Sequence, residues 1–451
     1  MNVPGEVVDE VPVDQTRGRV YAEGWQSWSP ATWYPVGAEG RVPDAGWQHL
    51  MRFRPGTPLR PDTLQGEGLL VVDPGTGEPA RRYAPVDAVG VPTLRATHEG
   101  GAVVVRSDGP VEVTRHTGGG EAALQTFGDE YAGSRHALPL ADPPTVWCSW
   151  YHYFEQVTAE DIAENLRDID ERDLAVEVVQ IDDGWSRGLG DGLVVAPGFG
   201  SLPALVDTIR TSGRRAGLWL APFLVGTRTR LAQEHPDWLV GPAGRNWGQD
   251  LAGLDLTHPG VQELLRDELA RLVALGVDYF KLDFLYGGAV PGPRHADVDE
   301  VAAYRGGLAL VREAVGPDVY LVGCGAPLLP SVGLVDAMRV SPDTFHEGAE
   351  DGSAGLRGLM PLAARAWMQG RLWVNDADCI VARPSYRLRE RWAAEAGRFG
   401  GLPSFSDRIA DLDDWGLATV QRLLGEGGSG VPLPEGRVRE GAALAQAEGA
   451  A

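Results

Sequence analysis

The sequence predicts an α/β protein: a (β/α)8 TIM barrel preceded by a small antiparallel β-sandwich-like domain. Three observations lead there. From Thr145 onward, short apolar, β-rich runs alternate with amphipathic helical patterns. Eight such units over about 280 residues sit close to the roughly 250 that this barrel typically takes. Before them, short β-like runs are separated by Gly-, Pro- and Asp-rich turns, with few helical segments. No Gly-rich phosphate turn follows the first strand of the α/β region, which argues against a doubly wound sheet.

Taken in order, residues 1–143 carry β-like runs at Arg17–Ala22, Gly68–Val72, Ala102–Arg106 and Val111–Thr114, with turn chemistry at Asp73–Pro79. Ala141-Asp142-Pro143-Pro144 reads as a boundary. Candidate barrel strands follow at 145–151, 176–182, 215–222, 252–256, 277–283, 319–324, 336–341 and 371–375. Helical patterns lie between several of them, at Ala159–Arg172, Pro203–Ser212, Pro259–Leu275 and Asp299–Val315, each with Ser, Thr, Asp or Pro near its start. The barrel with its closing helices is expected over 144–424. Residues 425–451, rich in Gly, Ala and Glu, read as a flexible tail.

Composition excludes whole classes of partner. The 451 residues are 43% apolar and 23% charged, as in ordinary soluble proteins, and carry a net charge of −23. Such a surface repels phosphate backbones, so nucleic acid and anionic membranes are excluded as partners. Neither a signal peptide nor an apolar run of membrane-spanning length is present, which gives a soluble, cytoplasmic expectation. The three cysteines, Cys148, Cys324 and Cys379, have no paired zinc spacing, so neither a disulfide framework nor structural zinc is expected. Of 40 basic residues, all but Lys281 are arginine. A lysine kept at one site suggests a compact ammonium where a broad planar fork does not fit.

Barrel active sites lie at the C-terminal ends of the strands. Here those ends carry Trp147-Cys148-Ser149-Trp150-Tyr151-His152, Asp182-Asp183-Gly184-Trp185, Trp219-Leu220-Ala221-Pro222, Asp255, Lys281-Leu282-Asp283, Cys324, Arg339-Val340-Ser341-Pro342-Asp343 and Asn375-Asp376-Ala377-Asp378. Carboxylates from several strands thus converge on one mouth, an arrangement that stability alone does not favour. Three readings use it. An all-carboxylate Mg²⁺ site of Asp182, Asp255 and Asp283 suits a hard cation but explains neither Lys281 nor the tryptophans. Glycoside hydrolysis needs two carboxyl groups across a scissile bond, with further carboxylates and aromatic faces to grip the sugar. A non-catalytic sugar-binding barrel would have the same pocket. Each fragment taken singly has a plainer reading as a turn, an ion pair or core packing; their joint placement is what points to a sugar site.

At these residues the sequence resembles the family 36 glycoside hydrolases, the melibiase-type α-galactosidases. The matching segments are Gly24-Trp25-Gln26-Ser27-Trp28-Ser29, Ile181-Asp182-Asp183-Gly184-Trp185, Tyr279-Phe280-Lys281-Leu282-Asp283-Phe284, Met338-Arg339-Val340-Ser341-Pro342-Asp343-Thr344 and Trp373-Val374-Asn375-Asp376-Ala377-Asp378-Cys379. The resemblance implies a retaining exo-α-galactosidase with Asp283 as nucleophile and Asp343 as acid/base. It further implies that Asp182 and Asp183 bind the 4- and 6-hydroxyls of galactose, and that Lys281, Trp219 and Arg339 complete the pocket. Cys324 would lie near the 2-hydroxyl, Trp150 would line the site, and Trp25 or Trp28 would reach over the mouth. No metal or organic cofactor is expected; the substrate is an α-galactoside, and a homo-oligomer stays open. Related chemistries, an α-galactosyl transferase or an α-N-acetylgalactosaminidase, also stay open. The chain departs from the family at Ala377, at Pro342 and in the Cys324-Gly325-Ala326-Pro327 turn. Double displacement requires Asp283 ionised, favoured by Lys281 and Arg339, and Asp343 protonated in the first step, favoured by burial and neighbouring carboxylates.

Overall fold

The computed structural model describes residues 3–40, 46–87, 90–135, 140–190, 192–246, 248–345 and 349–426. Most of the tail expected at 425–451 lies outside them. Eight strands form one parallel sheet: Val146–Cys148, Val178–Ile181, Arg215–Leu220, Val277–Leu282, Tyr320–Gly323, Ala337–Arg339, Val374–Asp376 and Ser404–Phe405. Ser404–Phe405 pairs with the first strand, and Phe405 also bridges to Ile380 just beyond the seventh. The two ends of the sheet thereby meet, giving a TIM-like α/β fold.

Two strands differ from expectation. The run at 252–256 is not the fourth barrel strand, because Arg215–Leu220 pairs directly with Val277–Leu282. Instead Gln249–Leu254 sits in a separate antiparallel sheet with Leu224–Gly226 and Leu239–Asn246. A short apolar run has no feature that distinguishes a parallel barrel strand from one arm of a hairpin. The eighth strand is Ser404–Phe405, two residues long and too brief to show any period. Lys281 therefore lies on the fourth strand and Arg339 on the sixth, with Asp283 and Asp343 just beyond those strands.

The expected helices are present with their caps. Thr158 and Asp161 form a capping box at Ala159–Glu171, whose Ile162, Leu166 and Ile169 make one buried stripe. Ser201 and Asp299 cap Leu202–Thr211 and Glu300–Val315, and Gly276, at φ +100°, closes Pro259–Leu275 in a left-handed turn. The last described helix, Asp414–Glu426, runs past the boundary expected at 424. Among the described residues no helix is long and apolar enough to cross a membrane.

Before the barrel lie two antiparallel sheets. One orders Glu6–Pro12, Ala102–Ser107, Thr93–Glu99 and Leu64–Glu67; the other orders Thr32–Pro35, Arg19–Ala22, Leu70–Asp73, Ala80–Pro85 and Val111–His116. Val11, Leu94 and Val105 from the first share an apolar cluster with Val20, Val72 and Tyr83 from the second. A helix the sequence reading did not single out, Gly119–Ser134, follows. The N-terminal sheets are tied to the barrel by Arg365, whose Nε donates to Glu23 at 2.8 Å with both side chains fully buried. The same guanidinium donates to the carbonyls of Gln26, Ser27, Ser29 and Val340. One cation thus fixes the Gly24–Ser29 loop over the strand that carries Arg339.

Candidate active site

Asp182 ends the second strand and is held from three sides. Its Oδ2 accepts from Lys281 Nζ at 2.9 Å, from Gln180 Nε2 at 2.6 Å and from Cys148 Sγ at 3.4 Å. Lys281 is buried; desolvation opposes its charge, but Asp182 and then Asp283 overrule it and raise its pKa well above the usual lysine value. Asp183, beside Asp182, accepts only from the Gly184 amide among the bonds seen, at 2.8 Å. Burial, reinforced by the Asp182 charge, pushes its pKa up to about 7. Gly184 is required there: at φ +109° any Cβ would stand 2.8 Å from the Glu155 backbone.

Asp283 follows the fourth strand and is 7% exposed. Its Oδ2 accepts from Trp219 Nε1 at 3.1 Å and its Oδ1 from the Phe284 amide at 2.7 Å. Trp219 is itself steadied by Trp185, whose Nε1 donates to its carbonyl at 2.8 Å. Phe284 adopts φ +51°, a left-handed conformation unusual for a bulky residue and typical of functional turns. Burial raises the Asp283 pKa; Lys281 opposes this and the Asp343 charge adds to it. Arg339, expected to help hold Asp283 ionised, makes its ion pairs with Asp343 and Asp378.

Arg339, 1% exposed, donates through Nη2 to Asp343 at 2.9 Å and lies 2.6 Å from Asp378. The expectation that Asp343 is buried is corrected: its side chain is 53% exposed, at the open side of the site. Cys324, fully buried, lies between these groups, with Arg339 Nη1 at 4.0 Å from its sulfur. Desolvation, then Asp283, raises its thiol pKa well above the usual range.

Of the two candidate tryptophans from the first sheets, Trp28 meets the site and Trp25 does not. The Trp28 ring stands edge-on to Phe284 at 5.3 Å and packs against Gly325, and its buried indole N–H has no hydrogen-bond partner among the described residues. Trp25 is 3% exposed, in the core beneath the Arg54 guanidinium. Trp150 is half-buried and meets Phe154 edge-on at 5.3 Å; no described hydrogen bond joins it to the carboxylates.

Asp255 is not among the converging groups. Its Oδ1 accepts from Thr257 and its Oδ2 from the His295 amide, so it organises a loop outside the parallel sheet. The carboxylate trio that a Mg²⁺ site would need is therefore not assembled. His152 faces Asp411 at 3.7 Å on the periphery. Conversely, Arg52, from the short helix Gly46–Arg52, carries a charge felt by Asp343, and nothing in its sequence context signalled it.

The Melibiase family model matches residues 137–310. The α-galactosidase TtGalA of Thermus thermophilus, solved in complex with stachyose, superposes with a TM-score of 0.75 at 30% identity, covering 92% of each chain. The chain belongs to the melibiase-type glycoside hydrolase family. A relative, α-galactosidase 1 of Pediococcus pentosaceus, is 30% identical over 169 residues, 34% of this chain and 22% of that protein. The match to the curated melibiase-type relatives thus spans about a fifth of their length. AgaA of Geobacillus stearothermophilus shares the fold, with a TM-score of 0.61 at 15% identity over 92% of this chain and 61% of that one.

Proposed function

We propose that the chain is a retaining exo-α-galactosidase that releases terminal α-linked galactose from oligosaccharides by double displacement. One observation carries the reading: the buried Asp283, held by Trp219 and facing Lys281, has the exposed Asp343 near enough to act on its charge. In this mechanism Asp283 Oδ attacks C1 while Asp343 gives its proton to the departing glycosidic oxygen. The β-galactosyl ester is then opened by a water that Asp343 deprotonates, returning α-galactose. Trp219 presets the nucleophile, and Lys281 favours its charged form against the desolvation of the site. Asp182 and Asp183 receive the 4- and 6-hydroxyls. Cys324, buried beside Arg339, is read as lying near the 2-hydroxyl and leaving little room for a 2-acetamido group, which favours galactose over its N-acetyl analogue. Trp28, with its unpaired indole N–H, closes the mouth. The reading takes residues 1–143 and 144–424 as two units of a soluble, cytoplasmic enzyme needing no metal.

NMR-monitored incubation with an activated α-galactoside, with and without EDTA, tests this. First-formed α-galactose, at a rate unaffected by EDTA, is expected. First-formed β-galactose would refute retention, EDTA-sensitive turnover would refute metal independence, and binding without turnover would make the site a sugar receptor.

A further inference from the structure

Arg339 is one cation facing two carboxylates. Beyond Asp343 it reaches Asp378, which follows the seventh strand and is 5% exposed. Asp378 stands at φ +83°, where a non-glycine residue is strained and persists only if its surroundings over-determine it. They do. Its Oδ2 accepts from the Thr344 amide at 2.7 Å, from Thr344 Oγ1 at 2.8 Å and from the Tyr151 hydroxyl, while its Oδ1 accepts from the Cys379 amide at 2.9 Å. Thr344 is the residue immediately after Asp343. Asp378 therefore grips both the guanidinium bound to Asp343 and the backbone that carries it.

We infer that Asp378 is a positioning residue for the proton donor: it anchors Arg339 and Thr344 so that the Asp343 carboxyl faces the glycosidic oxygen. This rests on the reading of Asp343 as acid/base. Burial, resisted by Arg339, holds the Asp378 pKa up at about 6. The charged and titratable groups around Asp378 are Arg339, Asp343, Lys281, Asp376, Tyr151 and Tyr386. Those around Asp343 are Arg339, Arg52, Asp283, Cys324, Asp378 and Tyr151.

The test is Asp378→Asn, which keeps the shape and an acceptor for Thr344 but gives up the charge on Arg339. Two substrates are compared: an α-galactosyl disaccharide, whose leaving group must be protonated, and dinitrophenyl α-galactoside, whose leaving group departs without a proton. The disaccharide kcat/KM is expected to fall at least about tenfold further than the aryl one, a gap typical of lost proton transfer. The alkaline limb of the disaccharide profile is expected to move to lower pH, because the whole guanidinium now faces Asp343. Tyr151→Phe, which removes one bond to Asp378, should show the same selectivity more weakly, and it decides the matter if Asp378→Asn does not fold. Equal losses on both substrates with an unmoved limb would reduce Asp378 to a loop anchor and overturn the inference. Asp343→Ala separates the underlying reading: without leaving-group selectivity or azide rescue there, the acid/base assignment falls and takes the positioning role with it.

Discussion

At the residue scale, the Asp182-Asp183 doublet works against the stability of the fold. Asp182 has the Lys281 ammonium, whereas Asp183 is half-buried with one amide donor and a like charge beside it. Its folded pKa of about 7 lies above the ordinary 3.8, so the native state holds a proton longer than the unfolded chain. Stability from this group is therefore unaffected below about pH 4 and declines from there to about pH 7, by up to about 4 kcal/mol. Asp183→Asn should abolish galactoside turnover yet make the protein more stable at pH 8, with little change at pH 4. Urea unfolding at the two pH values checks this; a variant no more stable than wild type at pH 8 would mean that Asp183 is relieved by groups not seen here. Lys281→Arg sets size against charge. The ammonium sits buried, 2.9 Å from Asp182, and a guanidinium there must displace its neighbours at about 1–3 kcal/mol. We expect kcat/KM to fall by about a hundredfold or more, as when reacting groups shift by about an ångström; wild-type kinetics would show that any cation serves.

At the element scale, what the sequence could reveal depended on whether an element's chemistry is local. Helices capped by Thr158, Ser201 and Asp299 were legible because cap and stripe are both written within a few residues. The Gly119–Ser134 helix was not, since glycine is a poor helix former. Its glycines answer to tertiary contacts instead: a Cβ on Gly120 would stand 2.2 Å from the Trp33 ring, and one on Gly128 3.0 Å from Arg371. The site itself was legible in its strand-end aspartates, Asp283 above all. The partners of Arg339 were not, because the left-handed backbone of Asp378 and the exposure of Asp343 are set by loops from separate strands. Arg365 is the clearest long-range case, bonding Glu23 some 340 positions away in sequence. Arg365→Met would leave Glu23 as an unpaired buried charge and free four carbonyls, costing about 3–5 kcal/mol. Urea unfolding should report that loss, and hydrogen exchange should report faster opening of residues 24–29. Unchanged exchange there would mean that the loop is held by its own turn.

At the scale of the whole molecule, the N-terminal sheets and the parallel sheet are not two independent cores. Tyr21, Trp33, Leu69 and Val71 belong to the same buried cluster as Trp147, Val179 and Trp373. Phe127, on the glycine-rich helix, meets Trp367 at 5.9 Å, and Trp367 Nε1 donates to the Tyr21 hydroxyl at 3.1 Å. Interfaces between separable units are usually more polar than this and permit relative motion. Here the shared core, sealed by the Arg365–Glu23 pair, couples the two parts, and the Gly24–Ser29 loop that brings Trp28 to the mouth lies inside the coupled region. Heating should therefore give one calorimetric transition, with loss of activity tracking it, as for a single cooperative unit. Arg365→Met should lower that transition while leaving it single, because the apolar core shared by the two parts remains. Two transitions in the unmodified protein, with activity surviving the first, would show that the N-terminal sheets only shelter the barrel and that Trp28 is dispensable to the site.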